Sequence, residues 1–231
     1  GKWWQGNYTR CGFTHGMTKG TRHGDDGLKI GRETMQPIYD FIGEAQRDGK
    51  PFFVWYAPFL PHEPHTPPKD LLDKYKARTD SLPMARYYAM CEWLDRTCGE
   101  LMDHLDARGL RENTIVSLVT DNGWRQSAAR AGVEPRSKLW PNDGGVRTPI
   151  LFRWPGRISA GVRQMPVSST DIAPTLLAAA GVKVPSGMQG KALFSAGAGG
   201  TAGTGAGLGG DAQREAIAIR NGHAFNQLPI V

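Results

Sequence analysis

The chain has 231 residues, and its 28 basic and 22 acidic side chains give a formal net charge of +6. Hydrophobic residues make up 39% of the sequence, which is enough to build a core and excludes a chain that is disordered throughout. No apolar run reaches the ~18 residues that a transmembrane helix needs, and basic residues are interleaved with acidic ones, unlike the basic runs of nucleic-acid-binding domains.

The first predicted elements are a helix and a buried strand. Residues 1–31 are rich in Gly, Thr, Arg and His without a clear period, so we predict loops there. Residues 32–48 carry apolar side chains at intervals of three and four, which predicts a helix that ends at Gly49. The apolar run FFVWYA at 52–57 predicts a strand buried on both faces, as in a parallel sheet. The proline- and histidine-rich segment 58–68 then predicts a rigid loop.

A long helix and two further strands follow. An apolar stripe over residues 84–108 predicts an amphipathic helix. This helix would place Cys91 and Cys98 about 10 Å apart, too far for a disulfide, so we predict free thiols. The runs TIVSLV at 114–119 and PILFRW at 149–154 predict a second and a third strand, with a polar loop between them.

The last predicted helix covers residues 171–180, with Asp171 as its N-cap and Gly181 as its stop. A strand, a helix and a strand in succession indicate the α/β class with right-handed parallel crossovers. The sequence therefore predicts a mostly parallel central sheet flanked by helices.

Polar side chains follow the ends of the predicted strands, where ligands bind in open α/β sheets. His62 and His65 follow the first strand, and Asp121 and Asn122 follow the second. The segment 138–147 adds three charged residues, Lys138, Asp143 and Arg147. Carboxylate and amide oxygens suit a hard cation, and Lys and His suit a tetrahedral anion, so the set predicts a metal-assisted oxyanion ester site.

Each of these features also has a structural explanation. Asp-Asn-Gly after a strand is common as a simple turn, and histidines in a proline-rich loop are common at surfaces. Asp25 and Asp26 form a tempting acidic pair, but no predicted strand precedes them and we interpret them as solvated charges. The sequence has neither a His-Glu-x-x-His nor a Cys-x-x-Cys motif, which disfavours zinc.

In their order along the chain, these segments resemble the type I sulfatases of the alkaline phosphatase superfamily. The resemblance covers about residues 1–195. Five segments carry it: GKWWQG at 1–6, HEPHTP at 62–67, the helix and strand of 85–123, KLWPNDGGVRTPILFRWPG at 138–156, and STDIAPTLLAAAGV at 169–182.

The resemblance implies a sulfatase that hydrolyses sulfate esters, on carbohydrates in our reading, in the periplasm or outside the cell. Lys2 and Lys138 would grip the oxygens of the sulfate and the leaving group. His65 would contact the ester oxygen and act as a general acid, with His62 as the less favoured choice. Asp121 and Asn122 would be ligands of Ca²⁺.

The family nucleophile is a formylglycine made from a Cys/Ser-x-Pro-x-Arg motif, and this sequence contains no such motif. We therefore expect the nucleophile upstream of residue 1 and expect the chain alone to be inactive. Trp4 occupies the position of a family histidine. The resemblance also divides the chain into a partial catalytic domain at 1–195, a Gly/Ala-rich linker at 196–212 and the start of a truncated C-terminal subdomain at 213–231.

Two other functions remain open at this stage. A phosphodiesterase or phosphonate hydrolase on the same scaffold needs a similar set of anion-binding residues. A degenerate homologue that binds an anion without turnover would fit the replacement of the family histidine by Trp4. None of these readings involves a nucleic acid partner.

Overall fold

The structure, a computed structural model, describes residues 7–18, 26–194 and 227–229. It divides the chain into a first unit, Gly1–Arg108 with Ala128–Arg130, and a second unit, Gly109–Ser127 with Ala131–Val231. The first unit is helical and the second contains the β-ladders, so both element types of the predicted α/β class are present.

The described part of the first unit contains three α-helices: α1 (Gln36–Arg47), α2 (Lys69–Lys76) and α3 (Leu82–Ala107). Short 3₁₀ turns at Tyr8–Cys11 and Asp26–Lys29 lie in the region predicted as loops. Helix α2, which the sequence did not predict, packs against α3. The three cysteines are free, as predicted.

The predicted boundaries of α1 and α3 move because of their N-terminal residues. Helix α1 begins four residues later than predicted, with Pro37 in its first turn, where its fixed φ is suited to a helix. Helix α3 begins two residues earlier, at Leu82. The Ser81 hydroxyl accepts a hydrogen bond from the Met84 amide at 3.3 Å and so caps the helix.

The core of the first unit lies between these helices. Leu71 on α2 and Ala85, Ala89 and Met90 on α3 are fully buried, and Ile42 on α1 is nearly so. The small alanine side chains on the buried face of α3 allow another helix to approach closely. Helix α2 has few apolar residues of its own, so it is stabilised by packing against this face.

Residues 52–57 correct one sequence prediction. The segment forms neither a helix nor a β-ladder with any residue that the structure describes. Phe53 and Trp55 are each 58% exposed, while the alternate side chains are half-buried. The Tyr56 hydroxyl donates to Thr97 Oγ1 at 2.7 Å, which fixes the inner face on α3. The apolar run is therefore buried on one face, not on two, in the described part of the chain.

The pairing of the next strands is also different from the prediction. Strand β1 (Val116–Val119) pairs with β2 (Ile150–Arg153) in antiparallel register, from Val116–Arg153 to Val119–Ile150. Parallel neighbours need a long crossover, usually a helix. The segment between these strands contains only the one-turn helix α4 (Asp143–Val146), and the Thr148 hydroxyl closes the ladder by donating to Thr120 O at 3.1 Å.

A second antiparallel ladder joins β3 (Pro166–Ser168) to β4 (Gln227–Pro229). Helix α5 (Ile172–Ala179) follows a 3₁₀ turn, Ser169–Asp171. The core of this unit contains Ile150, Val167 and Leu193, with Phe152, Met165, Ile172 and Phe194 packed around them.

Asp171 occupies the N-cap position of α5, as predicted, but its side chain makes no capping hydrogen bond to that helix. Its buried carboxylate accepts hydrogen bonds from the amides of Ser168 at 2.9 Å and Lys191 at 2.8 Å, so it joins two loops to the start of the helix. The side chain of Ser168 takes the capping position one turn earlier. The sequence indicated that Asp171 lies at the start of a helix, but it gave no sign that its carboxylate binds the backbone amide of Lys191, twenty residues later.

Some predictions fall outside the described residues. These are the linker at 196–212, the tail at 213–231 except for β4, and Lys2, Trp4 and Asp25. Among the helices that the structure does describe, none combines the length and the hydropathy needed to cross a membrane.

Candidate active site

The turn after β1 carries Asp121 and Asn122. Its backbone is tied to α4 because the Gly123 amide donates to Gly145 O at 2.8 Å. A Cβ atom on Gly123 would lie 2.5 Å from Gly144 O, so only glycine permits this approach. The two polar side chains are thus held on a turn whose position is set by backbone contacts.

Asn122 and Asp121 present oxygen atoms differently. The Asn122 amide nitrogen donates to Gly123 O at 3.0 Å, which orients the side chain and leaves its amide oxygen for another partner. Asp121 is exposed, and Asn122 is half-buried. The pair therefore offers a carboxylate and a carbonyl oxygen at adjacent positions.

Ser137 connects the segment after this turn to α4. It is fully buried, and its hydroxyl accepts from the Arg125 amide at 2.6 Å and donates to Gly144 O at 3.5 Å. Its own carbonyl accepts from the Trp140 amide at 3.0 Å. One buried serine thus links three stretches of backbone around the candidate site.

The two residues that flank the Ser137–Lys138 pair have an unusual backbone conformation. Arg136 and Leu139, on either side, have φ angles of +59° and +73°. The left-handed region costs a non-glycine residue about 1–3 kcal/mol, and it persists only where the surroundings impose it. The hydrogen bonds of Ser137 supply that constraint here, and such strain is concentrated at functional sites.

The ammonium of Lys138 lies 5.6 Å from the centre of the Trp124 ring, within the range of a cation–π contact. The Trp124 indole donates in turn to the Gln126 side chain at 3.1 Å. Lys138 is half-buried, so its charge is less screened than that of a surface lysine. The lysine is therefore positioned on a fixed aromatic face.

Asp143 and Arg147, the other charged residues of this segment, occupy the two ends of α4. Arg147 Nη1 lies 3.9 Å from Asp143 Oδ2, and both side chains are exposed. The pair suits a solvated helical turn.

In the first unit, His65 lies in the loop 58–68. Its ring is 5.5 Å from that of Tyr87 on α3, and its Nε2 atom is shielded from solvent. His62 instead stacks on Phe59, with 4.5 Å between ring centres, and its Nδ1 lies 2.6 Å from Glu63 O. The loop thus holds the two histidines in different environments.

Arg32 anchors the start of this loop. Its guanidinium donates to Phe59 O at 2.9 Å and lies against the rings of Phe59 and Trp93, at 5.2 and 5.6 Å from their centres. Burial lowers the pKa of Arg32 from its ordinary value. Sequence reasoning missed Arg32, Ser137 and Tyr87, since none of them follows the end of a predicted strand.

Burial is the main cause that lowers the pKa of His65 below its ordinary value of 6.5, and Arg86 acts in the same direction. Glu63 and a hydrogen bond to the backbone of Pro61 oppose the shift. The neutral imidazole is therefore favoured, and its protonated form is a stronger acid than a free histidine.

We expect an NMR titration to give His65 a midpoint below 6.5, because burial disfavours the imidazolium. The unfolded chain then binds more protons than the folded chain near pH 6.5. The corresponding stabilisation is complete above 6.5 and is lost as the pH falls through the folded-state pKa. The variant His65→Gln assigns the resonance and should remove this pH dependence. A midpoint above 6.5 would contradict the expectation.

The structure relates the five predicted site residues only in part. Asp121, Asn122 and Lys138 belong to the second unit, whose hydrogen bonds join their two segments. His65 belongs to the first unit, and Lys2 lies outside the described residues. The convergence of all five on one pocket stays a prediction.

Among the described residues, no group of three or more His, Cys, Asp or Glu side chains is arranged to hold a metal ion. Asp121 and Asn122 supply two oxygen donors of the kind that a hard cation prefers. Ca²⁺ takes six to eight oxygen ligands. The two residues therefore fit part of a calcium shell.

Comparisons with known proteins agree with the motifs. The family profile described as Sulfatase matches residues 5–182. Arylsulfatase A of Homo sapiens is 35% identical over 155 residues, covering 65% of this chain and 29% of that protein. The ulvan-active sulfatase of Formosa agariphila is 29% identical over 171 residues, covering 66% of this chain and 33% of that protein.

A solved structure, Ps i-CgsB in complex with k-i-k-neocarrahexaose, is similar in fold. It has a TM-score of 0.61 and 26% sequence identity, and the match covers 75% of this chain and 38% of that one. The chain spans about a third of the length of the curated relatives it matches.

Proposed function

We propose, from the premise that this chain belongs to the sulfatase family, that it acts in the hydrolysis of sulfate esters of carbohydrates. The family match confirms the resemblance carried by the motifs, and the structural likeness confirms the α/β fold of the type I sulfatases. The activity and the substrates of the whole protein are part of this proposal, because the chain covers only about a third of the length of its curated relatives.

The observation that carries the proposal is the hydrogen-bonded link between the Asp121–Asn122 turn and the Lys138 segment. The Gly123–Gly145 hydrogen bond and the buried Ser137 hydroxyl fix two segments that are far apart in sequence. A simple surface turn has no need of a buried serine or of strained residues beside a lysine. Oxygen donors and a cation on one rigid frame suit a sulfate group.

Calcium is the ion that the family resemblance implies, and Asp121 and Asn122 would hold it. The Asn122 amide group is already oriented by Gly123 O, which leaves its oxygen as a ligand. When bound, the ion supplies positive charge that stabilises negative oxygens of a reacting ester. The two residues therefore determine where that charge lies.

Lys138 and His65 would perform the remaining tasks that this chain provides. The Lys138 ammonium, held on Trp124, donates to sulfate oxygens and stabilises the charge that develops on them. His65, in its protonated form, would donate a proton to the ester oxygen as the sugar hydroxyl leaves. By resemblance, Lys2 adds a second cation. The formylglycine nucleophile is assigned to no residue of this sequence.

The proposed substrates are sulfated carbohydrates. One relative is named an ulvan-active sulfatase, and the solved structure above contains an oligosaccharide by its description. The net charge of +6 suits anionic substrates. These points favour a sulfated polysaccharide or its oligosaccharides.

The test is sulfate release by the protein in its natural full length. We expect turnover of an aryl sulfate and much slower turnover of the matching aryl phosphate. Asp121→Ala should lower kcat/KM on the sulfate by about a hundredfold, because loss of a charged oxygen donor removes transition-state stabilisation. Calcium-induced stabilisation, measured by thermal melting, should fall in the same variant.

Asp143→Ala is the matched control, since Asp143 is an exposed carboxylate of the same unit that pairs with Arg147. Its activity should stay within about twofold of wild type. Preferential turnover of the phosphate would favour a phosphodiesterase. Anion binding without any turnover would favour a degenerate binding protein, and either result overturns the proposal.

A further inference from the structure

A continuous series of aromatic rings leads from His65 along the surface of the first unit. Ring centres are 5.5 Å apart from His65 to Tyr87, 6.2 Å from Tyr87 to Tyr88, and 5.8 Å from Tyr88 to Tyr75. Each step is comparable to the length of one sugar residue. Because α2 and α3 carry the three tyrosines, their spacing is fixed by helix packing.

Tyr88 is the most exposed ring of the series. It is 40% exposed, whereas His65, Tyr87 and Tyr75 are half-buried. The Tyr87 hydroxyl hydrogen-bonds with the Cys91 thiol, so core packing accounts for that residue. Core packing does not account for Tyr88, a large aromatic side chain at the surface between two other rings.

A cation lies at the outer end of the series. The Arg78 guanidinium carbon is 5.7 Å from the centre of the Tyr75 ring. The Lys74 ammonium also lies 5.5 Å from the centre of the Tyr75 ring, but it forms an ion pair with Glu92, with 2.6 Å between Lys74 Nζ and Glu92 Oε2. Arg78 is exposed and forms no ion pair with any residue that the structure describes. Its planar, multi-donor head is suited to an oxyanion.

We propose that Tyr88, Tyr75 and Arg78 form an outer subsite for a second sulfated sugar residue, two or more units along the same carbohydrate chain from the residue whose ester reaches His65. This inference rests on the proposed function and extends it from the sulfate group to the sugar chain. The apolar C–H face of a sugar ring packs on Tyr88, an amphipathic ring with little conformational freedom. Arg78 binds the sulfate of that residue.

The experiment measures binding of sulfated hexasaccharides from ulvan, carrageenan, chondroitin sulfate and heparin to the full-length protein by calorimetry. The variants are Tyr88→Ala, Tyr88→Phe and Arg78→Gln, and Leu82→Ala is the control, since Leu82 is an exposed apolar residue of the same helix. For the best ligand, Tyr88→Ala and Arg78→Gln should each raise Kd about tenfold. Tyr88→Phe should bind the ligand with the wild-type Kd, because the aromatic ring face is retained.

Activity separates this inference from the proposed function. The ratio of kcat/KM on the oligosaccharide to kcat/KM on an aryl sulfate should fall about tenfold in Tyr88→Ala and stay unchanged in Leu82→Ala. Unchanged Kd values in Tyr88→Ala and Arg78→Gln, or no binding of any of the four ligands by wild type, would overturn the subsite. Binding that depends on Tyr88 without aryl sulfate turnover would overturn the proposed function and leave the subsite standing.

Discussion

Gly145→Ala is expected to lower the free energy of unfolding by about 3 kcal/mol and to abolish calcium-induced stabilisation. A Cβ atom at this position would collide with the carbonyl oxygens of Ser137 and Trp140. Both are backbone atoms, so relief requires α4 to move away from the Lys138 segment. Urea denaturation followed by tryptophan fluorescence measures the free energy of unfolding. Thermal melting with and without calcium measures the calcium-induced rise in Tm, which should disappear in the variant.

Gly187→Ala provides the matched control within the second unit. A Cβ atom on Gly187 would meet no heavy atom within 4 Å, and Gly187 is exposed. We expect its unfolding free energy to stay within about 0.5 kcal/mol of wild type. Wild-type stability and calcium response in Gly145→Ala would show that the tight backbone contact is not needed to hold the frame.

Lys138→Ala is expected to reduce kcat/KM on an aryl sulfate by about a thousandfold while the protein remains folded. Loss of one fixed donor to a developing oxyanion typically costs a factor of about 10²–10³ in rate. The fold should tolerate the change because the segment is held by Ser137 and by backbone hydrogen bonds, not by the lysine side chain. Steady-state kinetics and thermal melting together separate the two effects.

The control for charge alone is Lys183→Ala, an exposed lysine of the same unit. Its kcat/KM should stay within about twofold of wild type, since the charge of an exposed lysine is screened by water and salt. Equal losses in Lys138→Ala and Lys183→Ala would mean that net charge, not a positioned ammonium, supports the reaction.

Helices α1 and α3 were predictable because each buries one face, and that face is encoded in the spacing of apolar residues. Helix α2 was not, since its eight residues include five charges and too few apolar positions for a period. It is stabilised by packing on α3, which no local pattern reports. The same limit explains residues 52–57, where an apolar run predicts burial but cannot specify which neighbour covers each face.

Part of the candidate site was also predictable from the sequence. Asp121 and Asn122 were identified as oxygen ligands because they follow a predicted strand. Lys138 was identified as a cation of the segment 138–147. Ser137 was invisible, because a serine between Arg136 and Lys138 has the sequence signature of a surface loop. Its burial is accompanied by hydrogen bonds to the backbone of Arg125 and Gly144, twelve residues before it and seven residues after it, which no local pattern reports.

The Gly123–Gly145 contact has one more consequence. Since the turn after β1 is held by main-chain atoms, its architecture does not depend on the identity of the outward side chains beside it. Leu139 and Trp140, 62% and 50% exposed, project from this skeleton without supporting it through their side chains. Under the proposed function, such an arrangement would keep the backbone that holds Asp121, Asn122 and Lys138 constant while the exposed side chains beside it change. Related proteins could then differ in the sugar they prefer and retain the same chemistry.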